Sequence, residues 1–141
     1  MRKHIPTFAL VVLALLVGYW AGKNRPVHAG SPRTFELRAY TTAPGKYADL
    51  VKRFHDHTMA LFEKHGMTNV AYWNATEDPQ QGKVFYYLLA YPSREAREKM
   101  WKEFSDDPEW HKVKDASEVN GKLVDKVDAI FLQPTDFSPL Q

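Results

Sequence analysis

The chain has 141 residues, 44% of them hydrophobic, with 19 Lys and Arg against 17 Asp and Glu and no cysteine. That length suits one domain of ordinary size, able to bury its own core. The lack of cysteine excludes disulfide scaffolding, thiolate catalysis, thiolate metal sites and a lipid anchor through that residue.

Met1-Arg-Lys-His is a short basic start, and Phe8 to Trp20 is an apolar run broken by one glycine. Val27-His28-Ala29 then places small residues for cleavage before Gly30. This layout predicts a secretory signal peptide over residues 1–29. The run falls short of the ~20 apolar residues of a bilayer span; the alternative is an uncleaved N-terminal anchor over Ile5 to Gly22. Residues 30–33 read as a linker, 34–134 as the domain and 135–141 as an unpatterned tail. The leader carries Arg2, Lys3, Lys23 and Arg25 and no acid, which leaves 15 bases against 17 acids, a formal −2. The basic balance of the whole chain therefore belongs to the leader, and no nucleic-acid surface is expected. The cleaved protein should be secreted or periplasmic, with membrane contact only through an uncut leader.

The first strand, about Thr34–Thr41, alternates Phe35, Leu37 and Ala39 on one face with Glu36, Arg38 and Tyr40 on the other. The first face reads as ordinary core. Pro44-Gly45 turns the chain into a helix of about Lys46–His65, whose Tyr47, Leu50, Val51, Phe54, Thr58, Leu61, Phe62 and His65 share one stripe. Gly66 sits where a left-handed cap belongs. Strands of about Thr68–Thr76 and Lys83–Tyr91 form an antiparallel hairpin around Glu77-Asp-Pro-Gln-Gln-Gly, and the second, apolar on both faces, should be central. Ser93 caps a helix with Ala96, Met100, Trp101 and Phe104 inward. Asp106-Asp-Pro108-Glu starts another, running to about Asn120. A final strand covers about Lys126–Gln133.

The order β-α-β-β-α-β, with the second helix split, is the ferredoxin-like unit: a four-stranded antiparallel sheet with helices on one face, an α+β fold. The bare face of that sheet would carry large apolar groups from 84 to 91, which marks an interaction surface. A second copy is the simplest cover, so a homodimer through the open sheet face is expected.

Several residues could carry chemistry. Arg97 falls inside an apolar helical stripe, where a guanidinium needs a partner. It is either a structural pair inside the subunit, with an acid on the sheet or a carbonyl, or a receptor for an anionic ligand. Glu36, Arg38 and Tyr40 are an internal salt bridge or a pairing across the dimer that pins the strand, or else Arg38 and Tyr40 are cavity donors with Glu36 orienting Arg38. Trp73 and Tyr91, with Tyr72 and Tyr87 as alternates, could form an aromatic wall, though strand aromatics are more often core. His55, His57 and Trp101 could support the site. His55 and His57 diverge by about 200° on a helix, so they cannot share an ion, and no metal site is expected. His65 should terminate its helix, the alternative being an axial haem ligand, and His111 should be solvated. Nucleophile elbows and phosphate loops are absent from the sequence.

Phe35-Glu-Leu-Arg-Ala-Tyr-Thr-Thr-Ala-Pro-Gly-Lys resembles the opening of the NIPSNAP family. The likeness continues through Lys64-His-Gly, Ala71-Tyr-Trp, Leu88-Leu-Ala-Tyr-Pro-Ser, Arg97 and Trp101-Lys-Glu-Phe-Ser-Asp-Asp-Pro-Glu-Trp110. The resemblance implies a dimeric α/β-barrel and no general reaction. Its superfamily includes cofactor-free monooxygenases, haem-degrading enzymes and binding proteins, so activity would follow from fold analogy alone. The expected function is an exported homodimeric domain without cofactor, binding a small apolar or aromatic molecule with an anionic end. The ligand-binding residues would be Arg38, Tyr40, Arg97, Trp73 and Tyr91. The alternatives are a cofactor-independent monooxygenase that moves a proton with Tyr40, His55 or His57, and an envelope protein–protein module.

Overall fold

The computed structural model describes residues 33–140, so the expected leader and most of the linker lie outside the described residues. The elements run β1 (Thr34–Thr42), α1 (Tyr47–Arg53), a π-helical turn (Phe54–Thr58), α2 (Met59–Lys64), β2 (Thr68–Asn74) and β3 (Val84–Tyr91). Then come α3 (Arg94–Asp106), α4 (Pro108–Ser117) and β4 (Val124–Leu132). All neighbours pair antiparallel in the order β2-β3-β1-β4, which puts β3 and β1 in the middle. The expected α+β fold is the observed one.

Local chemistry sets the boundaries. Ser93 caps α3 by accepting from Ala96 N at 3.1 Å, and Asp107 caps α4 by accepting from Glu109 N at 2.8 Å. Pro108 stands in the first turn of α4, where its missing N–H costs nothing. Gly66 ends α2 with φ of +80°, a left-handed position that disfavours any Cβ. The expected single helix from 46 to 65 is interrupted by the π turn, where the Thr58 hydroxyl donates to the Arg53 carbonyl at 3.2 Å. The final strand begins two residues earlier than expected. The hairpin loop is longer, because β2 stops at Asn74.

One expectation reverses. Glu36, Arg38 and Tyr40 point into the helix layer, while on the open face Leu37 and Ala39 lie half-buried and only Phe35 of that row is buried. Alternation fixed which residues travel together, but the helices chose the face, and they chose the polar one. β3 supplies Phe85, Tyr87, Leu89 and Tyr91 to that layer, all buried. Around them pack Leu50, Phe54, Leu61 and Phe62 from the first helical stretch and Phe104 from α3. The Phe54 ring lies 5.0 Å from both Phe85 and Tyr87, and Phe62 lies 4.9 Å from Phe104. Burying one such ring contributes about 1.5–3 kcal/mol.

Helices cover β2, β3 and β1, and α3 sends the Arg94 and Arg97 side chains over Phe131 of β4. Val127, Ile130, Phe131 and Leu132 stay exposed on that edge strand. A gap therefore opens between β1 and β4 on one side and α3 and α4 on the other, and the candidate site sits in it.

Candidate functional site

The floor behind the gap is a buried ionic cluster. Strand β1 projects Glu36 and Arg38 two residues apart on one face, so Arg38 Nη1 reaches Glu36 Oε1 at 2.5 Å. Helix α3 delivers Arg97 onto the same carboxylate as a fork, Nη2 to Oε1 at 2.7 Å and Nε to Oε2 at 2.9 Å. Tyr91 donates to Oε2 at 2.8 Å, and Trp101 Nε1 donates to the Tyr91 oxygen at 2.8 Å. Glu36 is completely buried. Burial alone would push its carboxyl up, but the Arg97 hydrogen bonds, the Arg38 charge and the Tyr91 hydroxyl outweigh it, leaving it below the ordinary value. Burial, then the Glu36 charge, pushes the Tyr91 phenol up, so it stays a neutral donor.

This geometry chooses between the two readings of Arg97. Its guanidinium is one half of an internal ion pair with an acid on the sheet. Arg38 is equally committed: it bonds Glu36, donates to the Tyr40 hydroxyl at 3.2 Å and stacks 4.3 Å from the Trp101 ring centroid. One buried carboxylate serves two guanidiniums, and Arg97 has a second acid outside the cluster, Glu98 at 3.2 Å. The Arg38 Nε and the Tyr87 hydroxyl are buried beside it without a hydrogen bond.

In front of the cluster lies a cavity of about 410 Å³. Tyr40 and Trp101 separate the two. The remaining wall is aromatic, from Phe54, Phe62, Phe104 and Trp110, with Val127 of β4 at the open side. Arg53, Lys114, Glu118, Lys122 and Asp125 supply its charges. Arg53 lies beside rather than in the apolar stripe of its helix, so sequence reasoning missed it. α4 packs over it and buries it to 6% exposure. The only signal was its place one residue before Phe54.

Of the expected ligand residues, Tyr40 lines the cavity, Arg38 stands behind it, and Arg97 and Tyr91 are locked into the Glu36 cluster. Trp73 is elsewhere. A bulge in β2 between Asn69 and Ala71 pairs Tyr72 with Tyr87 and Trp73 with Tyr86. Trp73 therefore faces away from Tyr91, 47% exposed at the open face, and the two form no common wall. The alternates Tyr72 and Tyr87 take the inward positions, their rings stacked 5.8 Å apart. Of the supporting residues, Glu36 and Trp101 are central, but His55 and His57 are exposed on the outer side of the π turn. His55 contacts Asp56, whose carboxyl falls to about 2 through hydrogen bonds from His55 and Lys52. Neither histidine reaches the cavity. His65 Nε2 sits 2.7 Å from Asp107 at the end of its helix. Among the described residues, no three metal-ligating groups gather, and no helix is long and apolar enough to cross a membrane.

The NIPSNAP family model matches residues 35–139. A NIPSNAP family protein of unknown function from Agrobacterium tumefaciens has a similar structure, with TM-score 0.67 and 20% identity over 81% of this chain and 97% of that one. A NIPSNAP-like domain protein from Burkholderia xenovorans gives 0.65 at 20% identity, covering 76% and 89%. SnoaB, a cofactor-independent oxygenase from Streptomyces nogalater, gives 0.51 at 13% identity, covering 77% and 99%. At such identities the likeness concerns the fold alone. No curated protein matches the chain.

Proposed function

Since the chain belongs to the NIPSNAP family, we propose that it is an exported homodimeric domain that holds a small apolar or aromatic molecule with an anionic end. The cavity between sheet and helices carries this reading. Five aromatic side chains and Tyr40 line a space of about 410 Å³, within the range of small-molecule pockets, and cations outnumber acids on its wall. A pure protein–protein module would have no use for such a space.

The dimer follows from the face without helices. Leu37, Ala39, Tyr86 and Leu88 lie half-buried there, and Ile130 is 58% exposed. A second copy of the same sheet covers this patch with its own equivalent, the self-complementary contact of a two-fold dimer. Export rests on the leader pattern of residues 1–29.

Native mass spectrometry of protein purified from its own host tests all three parts together. The expected species is a dimer of chains lacking the leader, with a retained small molecule. An empty monomer carrying residues 1–29 overturns the reading.

A second reading is a cofactor-independent oxygenase in the same cavity. It has one observation behind it: the Tyr40 hydroxyl, paired with Arg38 and lining the cavity, is placed to move a proton. Oxygen consumption with aromatic substrates, lost in Tyr40→Phe, would support it. No consumption with any of them retires it.

A further inference from the structure

Taking as its ground the reading that this cavity holds a small anion, the structure assigns the anion's receptor to Arg53, with Glu118 as a carboxylate of the chain's own that keeps the place. The ligand class is then an aromatic monocarboxylate.

The other arginines are spent. Arg38 and Arg97 share Glu36 and do not line the cavity, whereas Arg53 does. Lys114 and Lys122 line it too, but Lys114 is exposed, and Lys122 pairs with Asp125 at 3.1 Å with its side chain 66% exposed. The Arg53 side chain is 5% exposed, with its guanidinium 5.1 Å from the Trp110 ring centroid. Only Nη1 is used: it donates to Ser117 Oγ at 3.2 Å and to Glu118 Oε1 at 3.1 Å. Nε is buried without a partner. A guanidinium offers five N–H donors, and leaving a buried edge of it unmet is costly. Arg53 is thus a buried cation with spare donors on the wall of an aromatic cavity.

Its present partner is held loosely. Glu118 uses one oxygen, 3.1 Å from Arg53 and 3.4 Å from Leu123 N. Charge-assisted bonds run at about 2.7–2.9 Å, the range that the Arg97 fork on Glu36 meets. Glu118 is also the C-cap of α4, the negative end of that helix, where a carboxylate is repelled. Its side chain is 21% exposed, so water is within reach if it swings away. A ligand carboxylate arriving at Arg53 relieves an unfavourable placement and takes over the Nη1 donor that Glu118 now holds. The planar body of the ligand then lies against Trp101, Phe104 and Trp110.

The test titrates the full chain with 1-naphthoate and with uncharged 1-naphthamide, reading tryptophan fluorescence and calorimetry. Wild type should prefer the anion. Glu118→Gln removes the competing charge, so it should bind 1-naphthoate about tenfold more tightly, one factor of ten in Kd, with naphthamide unchanged. Arg53→Met should lose the preference for the anion and keep naphthamide. If Arg53→Met fails to fold, the Glu118→Gln arm decides alone. Equal binding of both compounds, unaltered in Glu118→Gln, overturns the assignment of Arg53 and leaves the cavity reading standing. Binding of neither compound overturns the cavity reading, and this inference with it.

Discussion

Changing Glu36 to Gln removes the buried negative charge from a cluster that holds two guanidiniums. The carboxylate accepts from Arg38 at 2.5 Å, from Arg97 at 2.7 and 2.9 Å and from Tyr91 at 2.8 Å. An amide keeps one accepting oxygen and turns an NH2 group against donors, so about half of these bonds are lost. Arg97 retains Glu98 at 3.2 Å, but Arg38 is left with no acid. Breaking a buried pair on one side costs about 3–5 kcal/mol. The Arg38 and Arg97 side chains are 11% and 16% exposed, so water softens the loss toward the lower end. With a urea slope of about 1–3 kcal/mol/M for a domain of this size, a loss of about 3 kcal/mol lowers the midpoint by roughly 2 M. The comparison is made at one protein concentration, since the midpoint would depend on it in the proposed dimer.

The same substitution has a pH signature. Glu36 titrates below its ordinary value of 4.5 in the folded protein. A depressed folded pKa gives stability that is fully present above the unfolded pKa and lost as pH falls through the folded one. The gap between wild type and Glu36→Gln should therefore be flat near neutrality and begin to close as pH drops below about 4.5, where Glu36 of the unfolded chain takes up its proton, and vanish once the folded carboxyl titrates at lower pH. A loss under about 1 kcal/mol, or a gap that persists undiminished at about pH 3, would refute the argument that this carboxylate holds the cluster together.

Arg97→Met leaves Glu36 with Arg38 and Tyr91 and should cost about 2 kcal/mol, less than Glu36→Gln in the same urea series; an unchanged or higher midpoint would mean that the fork contributes no net stability. Gly66→Ala should cost about 1–2 kcal/mol by thermal melting, because φ is +80° and the added Cβ would meet Met100 Cε at 3.2 Å; a neutral result contradicts the cap. Trp101→Ala removes a ring packed 5.4 Å from Phe62 and 5.6 Å from Phe104 and should cost about 3 kcal/mol; a loss under about 1 would contradict its place in the core. Leu88→Asp puts a charge in the middle of the open sheet face, opposite Leu37; light scattering should then find monomers with an unchanged circular dichroism spectrum, and a persistent dimer places the interface elsewhere.

Much of the architecture was legible in local chemistry. Asp107 before Pro108, Ser93 before a helical stripe and Gly66 after one each satisfy backbone groups within a few residues, so short windows suffice to read them. The β-α-β-β-α-β order and the central place of β3 followed from which runs are apolar on one face and which on two. The grouping of Glu36, Arg38 and Tyr40 is likewise pure alternation along a strand, and the pairing of Arg97 with an acid on the sheet was one of two readings open to a guanidinium in an apolar stripe.

What the sequence alone determined, then, is periodicity, capping and which side chains share a face. Tertiary packing decided which face the helices cover, and it hid the charged row of β1 rather than the apolar one, because Arg97 and Tyr91 could satisfy Glu36 there. It decided through one extra residue in β2 that Tyr72 turns inward and Trp73 outward, since a bulge reverses the alternation beyond it. It buried Arg53 by laying α4 across it and placed Glu118 within reach, a contact 65 residues apart along the chain that no short window contains. These outcomes depend on the relative placement of whole elements, and the cavity lies where that placement leaves Val127 of β4 uncovered.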